Sequence, residues 1–357
     1  MPSVAIIAAG MVTGVGLSAP ASCAAIRAGI DGFAETRFMF DGEWLIGCEV
    51  PLDPPIRGRA KLVRMAAMAV EECLGAIPAI KPEDVPLILA LAETDRPGRF
   101  DGLDASVLAD VASELKMRLH PSSAVISKGR IGGVHALQQA AALVLGGRPA
   151  AIVAGVDTYL VAPTLTHLHA QRRLLTADNS DGFIPGEAAA AVVITTEAAA
   201  GPPDKPRLRF IGAGYGTEPA PLGSDKPFRA DGMVEALRKA FEGAERGYEH
   251  VDYRMTDLSG EQFYFKEAAL AMTRTMRVRK ENFFIWHPAD CVGQVGAAIV
   301  PACLGVALAA ARKRFAPKPV APSIADGGVL CHFAADGPER AALILAHGSV
   351  SLQGGAW

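Results

Sequence analysis

Short runs of aliphatic and β-branched residues alternate along the chain with longer alanine-rich stretches of helical period, the layout of a layered α/β protein. Apolar runs at 4–8, 85–92, 124–127, 150–155 and 190–195 predict strands. Stretches at 19–28, at 103–119 and from 132 onward predict helices. Periodicity stops at 198–206, AAAGPPDKP, where prolines and polar residues interrupt it. A similar series then resumes, with strands over 207–212, 252–258, 282–286, 329–334 and 341–346 and helices over 232–242, 261–275 and 296–313. The pattern predicts two similar α/β halves, 1–198 and 206–357, joined by a linker at 199–205.

Half of the 357 residues are apolar but only 6% are aromatic, so the core is expected to consist of small side chains and closely packed helices. A net charge of −3 with both signs dispersed gives no reason to expect nucleic acid or a polybasic membrane anchor. The six cysteines (Cys23, Cys48, Cys73, Cys291, Cys303, Cys331) have no paired C-x-x-C spacing. They read as reduced, buried thiols of a cytoplasmic protein. The apolar N-terminus lacks any Lys or Arg before Arg27, and Gly10, Gly14 and Gly16 interrupt it, which favours a strand and glycine loop over a secretory signal or a membrane span.

The stretch 122–147, SSAVISKGRIGGVHALQQAAALVLGG, has the frame of a catalytic elbow. A strand turns sharply through glycines into a helix, and the free N–H groups at such a helix start stabilise an anion. Yet the turn holds Lys128, Gly129, Arg130 and Ile131, with no Cys, Ser or Thr. The helix GVHALQQAAALVLGG and the following RPAAIVAGVDTYLVAP resemble the β-ketoacyl-acyl-carrier-protein synthases of the thiolase superfamily. In those enzymes a Cys elbow opens a Gly-x-His-Ala helix. Residues 180–195, SDGFIPGEAAAAVVIT, are similar to the family's Asp-Gly-Phe-x-x-Gly-Glu-Gly-Ala segment, and residues 4–29 to its opening strand, Gly-Met-Val-Thr-x-x-Gly loop and first helix. The resemblance implies a thiolase-like fold, with duplicated βαβαβαββ halves in five αβαβα layers.

It also implies where the chemistry ought to lie. Claisen condensation needs a thiolate and donors for developing negative charge. With His135 on the family's helix histidine, Arg130 falls at the nucleophile, and arginine cannot form a thioester. Asp257, in YRMTDLSGE, falls where the first catalytic His would stand, and Gly293 or Gln294, in CVGQVGAA, where the second would. Two compatible readings of Asp257 arise: a cap for the next helix, which is favoured, or an ion pair with Arg130 plugging the old pocket. His287, Cys291 and Cys331 are residual candidates for a rearranged site. Cys331 and His332 are adjacent on a strand, so their side chains point to opposite faces.

Glu187 is expected to hold backbone amides at the start of a core strand, and His135 to be structural. His167 and His169 lack accompanying ligands at helical spacing, so no metal and no cofactor are expected. Residues 96–101, RPGRFD, read as a surface loop. The leading expectation is a non-catalytic ketosynthase-like accessory or partner subunit. It would form a homodimer or pair with a related synthase, resembling a chain-length factor or the short relatives in bacterial type VI secretion effector cassettes. An acyl carrier protein or a secretion effector is a further expected partner. The alternatives are an active acyltransferase with a rearranged site and an acyl- or acyl-carrier-binding protein.

Overall fold

The structure, a computed structural model, describes residues 3–201, 206–317 and 327–348. The first half runs β1 (Val4–Thr13), α1 (Ala19–Ala28), β2 (Ala34–Phe40), β3 (Glu43–Gly47), α2 (Gly58–Gly75), β4 (Leu87–Leu91), α3 (Leu103–Glu114), β5 (Ala124–Ser127), α4 (Gly132–Leu145), β6 (Ala151–Thr158), α5 (Ala162–Ala170) and β7 (Glu187–Thr196). The second runs β8 (Leu208–Thr217), α6 (Asp231–Ala244), β9 (Tyr253–Thr256), α7 (Gln262–Thr275), β10 (Ile285–Trp286), α8 (Ala289–Val292), α9 (Ile299–Arg312), β11 (Gly328–Ala334) and β12 (Glu339–His347).

Ten strands form one sheet in the order β10-β9-β11-β12-β8-β1-β7-β6-β4-β5, and β2 and β3 pair separately. Read outward from the centre, β1-β7-β6-β4-β5 and β8-β12-β11-β9-β10 are the same connectivity used twice. The two sets meet where β1 pairs antiparallel with β8 between Val4–Phe210 and Ile6–Leu208.

The continuous apolar runs arise because both faces of the sheet are covered. Along β7, Ala188, Ala190, Val192 and Ile194 face a central layer made by α4 and α9. The alternate residues Ala189, Ala191 and Val193 face the outer helices α2 and α3. On the other side Ala341, Leu343 and Leu345 of β12 join the central layer, while Ala342 and Ile344 pack under α6 and α7. This is the five-layer αβαβα arrangement.

The scarcity of aromatics has a geometric reason. Gly212, Gly214 and Gly216 present one face of β8 directly to the backbone of α6. A Cβ on them would lie 2.4, 2.1 and 2.0 Å from the carbonyl oxygens of Ala240, Ala236 and Gly232. A strand period of two thus meets a helix period of four.

Several elements differ from the sequence expectation. The hairpin β2–β3, α2 and the short helices α5 and α8 were not predicted; β2, for example, buries only Thr36 fully. Helix α3 stops at Glu114 rather than 119, and Lys116 just beyond it has φ +53. Strand β10 is two residues long, and a 3-10 turn at Gly296–Ala298 precedes α9. Residues 202–205 of the expected linker lie outside the described residues.

Replacing Gly214 with Val is expected to lower stability by about 3 kcal/mol or more, because the helix backbone leaves no room for it. Urea denaturation measures this, and a loss under about 1 kcal/mol would contradict the close approach of β8 and α6.

Candidate functional site

Strand β5 leads through Lys128 into a 3-10 turn, Gly129–Ile131, that opens α4. Gly129 has φ +50, a conformation other residues rarely adopt. The turn directs Arg130 inward, where it is only 1% exposed. The second half repeats the device with Gly296 at φ +52 before α9, and the two turns pack against each other.

The protein's own carboxylates occupy the starts of both helices. Asp157 Oδ2 accepts the Ala297 N–H at 2.9 Å, and a Cβ on Gly296 would fall 1.9 Å from that oxygen. Glu93 lies against Gly129, where a Cβ would fall 1.6 Å from its Oε1. Arg96 bridges these acids, donating from Nη1 to Asp157 at 2.7 Å and from Nε to Glu93 at 2.9 Å. The anion-stabilising place at the start of α9 is therefore filled internally, and Glu93 crowds the start of α4.

Arg130 is the centre of a second group. It donates from Nη2 to Asp336 Oδ1 at 2.6 Å, contacts Asp257 Oδ2 from Nη1 at 3.4 Å, and stacks over Tyr264 at 4.4 Å from the ring centre. Arg173 binds Glu261 bidentately at 2.7 and 2.9 Å and reaches the same Asp336 oxygen at 3.0 Å. Burial opposes the Arg130 charge, but the Tyr264 ring, Asp336 and Asp257 outweigh it and keep the group protonated. Burial alone would raise Asp336, yet Arg130 and Arg173 hold it well below the ordinary carboxylate range. Burial pushes Asp257 up against the opposing pull of Arg130 and the Ala334 N–H, which donates to it at 3.0 Å.

The favoured cap reading of Asp257 is therefore corrected. Its carboxylate is committed to Arg130 and Ala334, while Glu261 is the N-cap of α7 and Asp181 accepts the first helical N–H, from Gln262, at 2.7 Å. The surface-loop reading of 96–101 also fails for its first residue, since the Arg96 side chain is only 8% exposed. Arg96, Asp157, Arg173, Glu261 and Asp336 were missed; the one local signal was a charged residue ending the apolar run AIVAGVD.

Gly293 follows α8 with φ +70, and a Cβ there would meet the Ile184 carbonyl oxygen at 2.7 Å, so this position has no room for an imidazole. Next to it, buried Gln294 donates to Ser259 Oγ at 3.0 Å. His135 stacks on Tyr215 with ring centres 4.5 Å apart, and burial lowers its pKa, keeping it neutral. Glu187 accepts the Val50 N–H and the Thr158 hydroxyl, each at 2.9 Å, and pairs with Lys61.

Of the residual candidates, His287 and Cys291 have partners of their own. His287 Nδ1 sits 2.8 Å from Asp290. Cys291 lies against the Ile26 carbonyl, and Cys331 is fully buried in the central layer. Burial raises the thiol pKa of both, and pushes Cys23 and Cys48 up to about 12. Burial also pulls His332, beside Cys331, down to about 3. His169 pairs with Asp41 at 3.0 Å and stacks on Phe40. Among the described residues no group of three or more side chains could hold a metal, and no helix is long and apolar enough to cross a membrane.

Removing Arg130 leaves Asp257 without its cation, so Arg130→Met is expected to cost about 3–5 kcal/mol. The Arg130→Met/Asp257→Asn double variant should recover part of it; a purely additive double-mutant cycle would show that the pair is not coupled. Asp336 has a folded pKa below its unfolded one, so its contribution is present above the ordinary carboxylate range and fades as pH falls below about 4. The stability gap between the parent and Asp336→Asn should accordingly be widest near neutrality and close in acid; a gap independent of pH would refute the assignment.

No protein-family model matches the chain, and no curated protein matches it in sequence. Solved structures match it in fold. The AntDE:AntF structure, a type II polyketide acyl-carrier protein in complex with its ketosynthase bound to the hexaketide, superposes with a TM-score of 0.76 at 15% identity, over 96% of this chain and 99% of that one. The ketosynthase from module 6 of the bacillaene synthase of Bacillus subtilis 168 gives 0.75 at 14% identity over 96% and 72%. The ishigamide ketosynthase/chain length factor gives 0.72 at 17% over 98% and 100%. The chain has the thiolase-like ketosynthase fold.

Proposed function

We propose that this chain is a non-catalytic thiolase-fold subunit that acts by association, as a homodimer or beside a related synthase, in the manner of a chain-length factor or of an accessory protein in secretion-effector cassettes. The observation that carries this reading is Arg130, buried at the elbow and bound to Asp336 and Asp257. A condensing centre needs a nucleophile at this position and unoccupied donors around it. Here a permanent cation stands at the turn, and carboxylates hold the helix starts.

Association has structural support. Strand β5 is one of the two edges of the ten-stranded sheet, and its four residues are only half-buried. An unpaired edge of this kind invites strand pairing, and a twofold axis would pair β5 with its counterpart. Among the fold's relatives, one is a ketosynthase/chain length factor and another is a ketosynthase structure with its acyl-carrier protein, so a synthase or a carrier protein is the kind of partner proposed.

Incubation with acetyl, malonyl and hexanoyl thioesters should leave the intact mass unchanged. Arg130→Cys should show no turnover either, because Asp257 and the crowded Gly293 loop remain. An adduct on the parent protein, or condensation by the single variant, would overturn the non-catalytic reading. Light scattering should show a dimer alone or with a related synthase; a monomer under both conditions would refute the association.

A further inference from the structure

Beside the Arg130 group the surface opens into a cavity of about 610 Å³. Five carboxylates and three guanidiniums line it, so its wall is acidic rather than suited to an acyl chain. Two of the guanidiniums are held by carboxylates, and the third, on exposed Arg172, meets a carbonyl. Arg96 is bound to Asp157 and Glu93, Arg173 to Glu261 and Asp336, and Arg172 donates to the Asp178 carbonyl at 3.0 Å. What remains open is on the accepting side. Asp336 is held in ionic form by two guanidiniums on one oxygen, Oδ1, while its side chain stays 36% exposed. Glu93 Oε1 has no hydrogen-bond partner, so its charge is only partly balanced by Arg96.

A second observation is independent of the acids. Tyr159 is 2% exposed and lines the cavity, and its hydroxyl has no hydrogen-bond partner among the described residues. A buried phenol normally finds a partner, so a hydroxyl left free at a cavity wall is a place for a ligand group. Phe263, on the same wall, supplies an apolar surface for an attached chain.

We propose that this cavity binds an alkylammonium group, which donates to Asp336 and to the Tyr159 hydroxyl while the unbalanced charge of Glu93 favours a cation. An ammonium has three donors and no acceptor, which complements the exposed carboxylate of Asp336 and the Tyr159 hydroxyl. The group belongs either to a free aliphatic amine or to a lysine side chain of a partner. The inference rests on the proposed function in one respect: Arg130 remains at the elbow and fixes Asp336.

Calorimetric titration of the full chain with cadaverine, a Gly-Lys-Gly peptide blocked at both ends, its acetyl-lysine counterpart and hexanoate tests the assignment. Cadaverine or the lysine peptide should bind at a single saturable site, and hexanoate and the acetylated peptide should not. Glu93→Gln should weaken binding about tenfold, as loss of a charged partner does. Tyr159→Phe, which removes one hydroxyl and leaves every ion pair in place, should weaken it several-fold. Tighter binding of the peptide than of cadaverine assigns the group to a partner's lysine, and the reverse order to a free amine; either supports the site. No binding of either amine, equal binding by both variants, or binding of hexanoate in its place would overturn it. An acyl adduct in the thioester assay would sink the non-catalytic reading and leave the amine titration standing, so the two failures are distinguishable.

Discussion

A guanidinium that is almost wholly withdrawn from water persists only where its charge is matched. Arg130 meets Asp336 and Asp257 in one plane of contacts and Tyr264 across its face. These partners arrive from the end of β9, from α7 and from the loop after β11, so the arginine ties the elbow of the first half to three segments of the second. Desolvating such ions is expensive, and an apolar cluster of equal volume would often be as stable. The arrangement fixes which segments meet more than it adds to stability, and Arg173 extends it by sharing the Asp336 oxygen.

The turns before α4 and α9 share one geometry. Two glycines at positive φ start α4 and α9 close together, and the helix ends concentrate N–H donors there. Asp157 takes the place that an external anion would occupy at α9 and Glu93 crowds the start of α4, with Arg96 between them. Acids built into the chain thus stand beside the start of each helix. The neighbouring cavity is lined by more acids than bases.

Packing sets the remaining constraint. Glycines and alanines allow the backbones of β8 and α6, and of β1 and α2, to touch; a Cβ on Gly10 would lie 2.0 Å from the Ala69 carbonyl oxygen. The central helices also approach closely, with Gly133 of α4 against Val300 of α9. A sheet buried on both faces by such helices has space for few large side chains, Tyr253 and Phe333 among them, in keeping with a chain half apolar and only 6% aromatic.

Much of this was legible in the residues themselves. Apolar runs such as AAAAVVIT and the SKGRIGG turn fixed strand, elbow and helix locally, because period and glycine placement are properties of neighbouring residues. The hairpin β2–β3 was not, since its strands bury few side chains and leave little alternation to read. The ion pair of Arg130 with Asp257 was weighed from the family's spacing, whereas Asp336, Arg173 and Arg96 carried no such spacing and looked like solvated charges. Asp336 meets Arg130 and Arg173 from 206 and 163 residues away, Arg173 meets Glu261 from 88, and Arg96 meets Asp157 from 61. Sequence alone thus determined the layered α/β architecture and a turn before α4 that holds no Cys, Ser or Thr. Only the tertiary structure decided which charges are buried together, because that depends on segments brought into contact by the fold and not on local pattern.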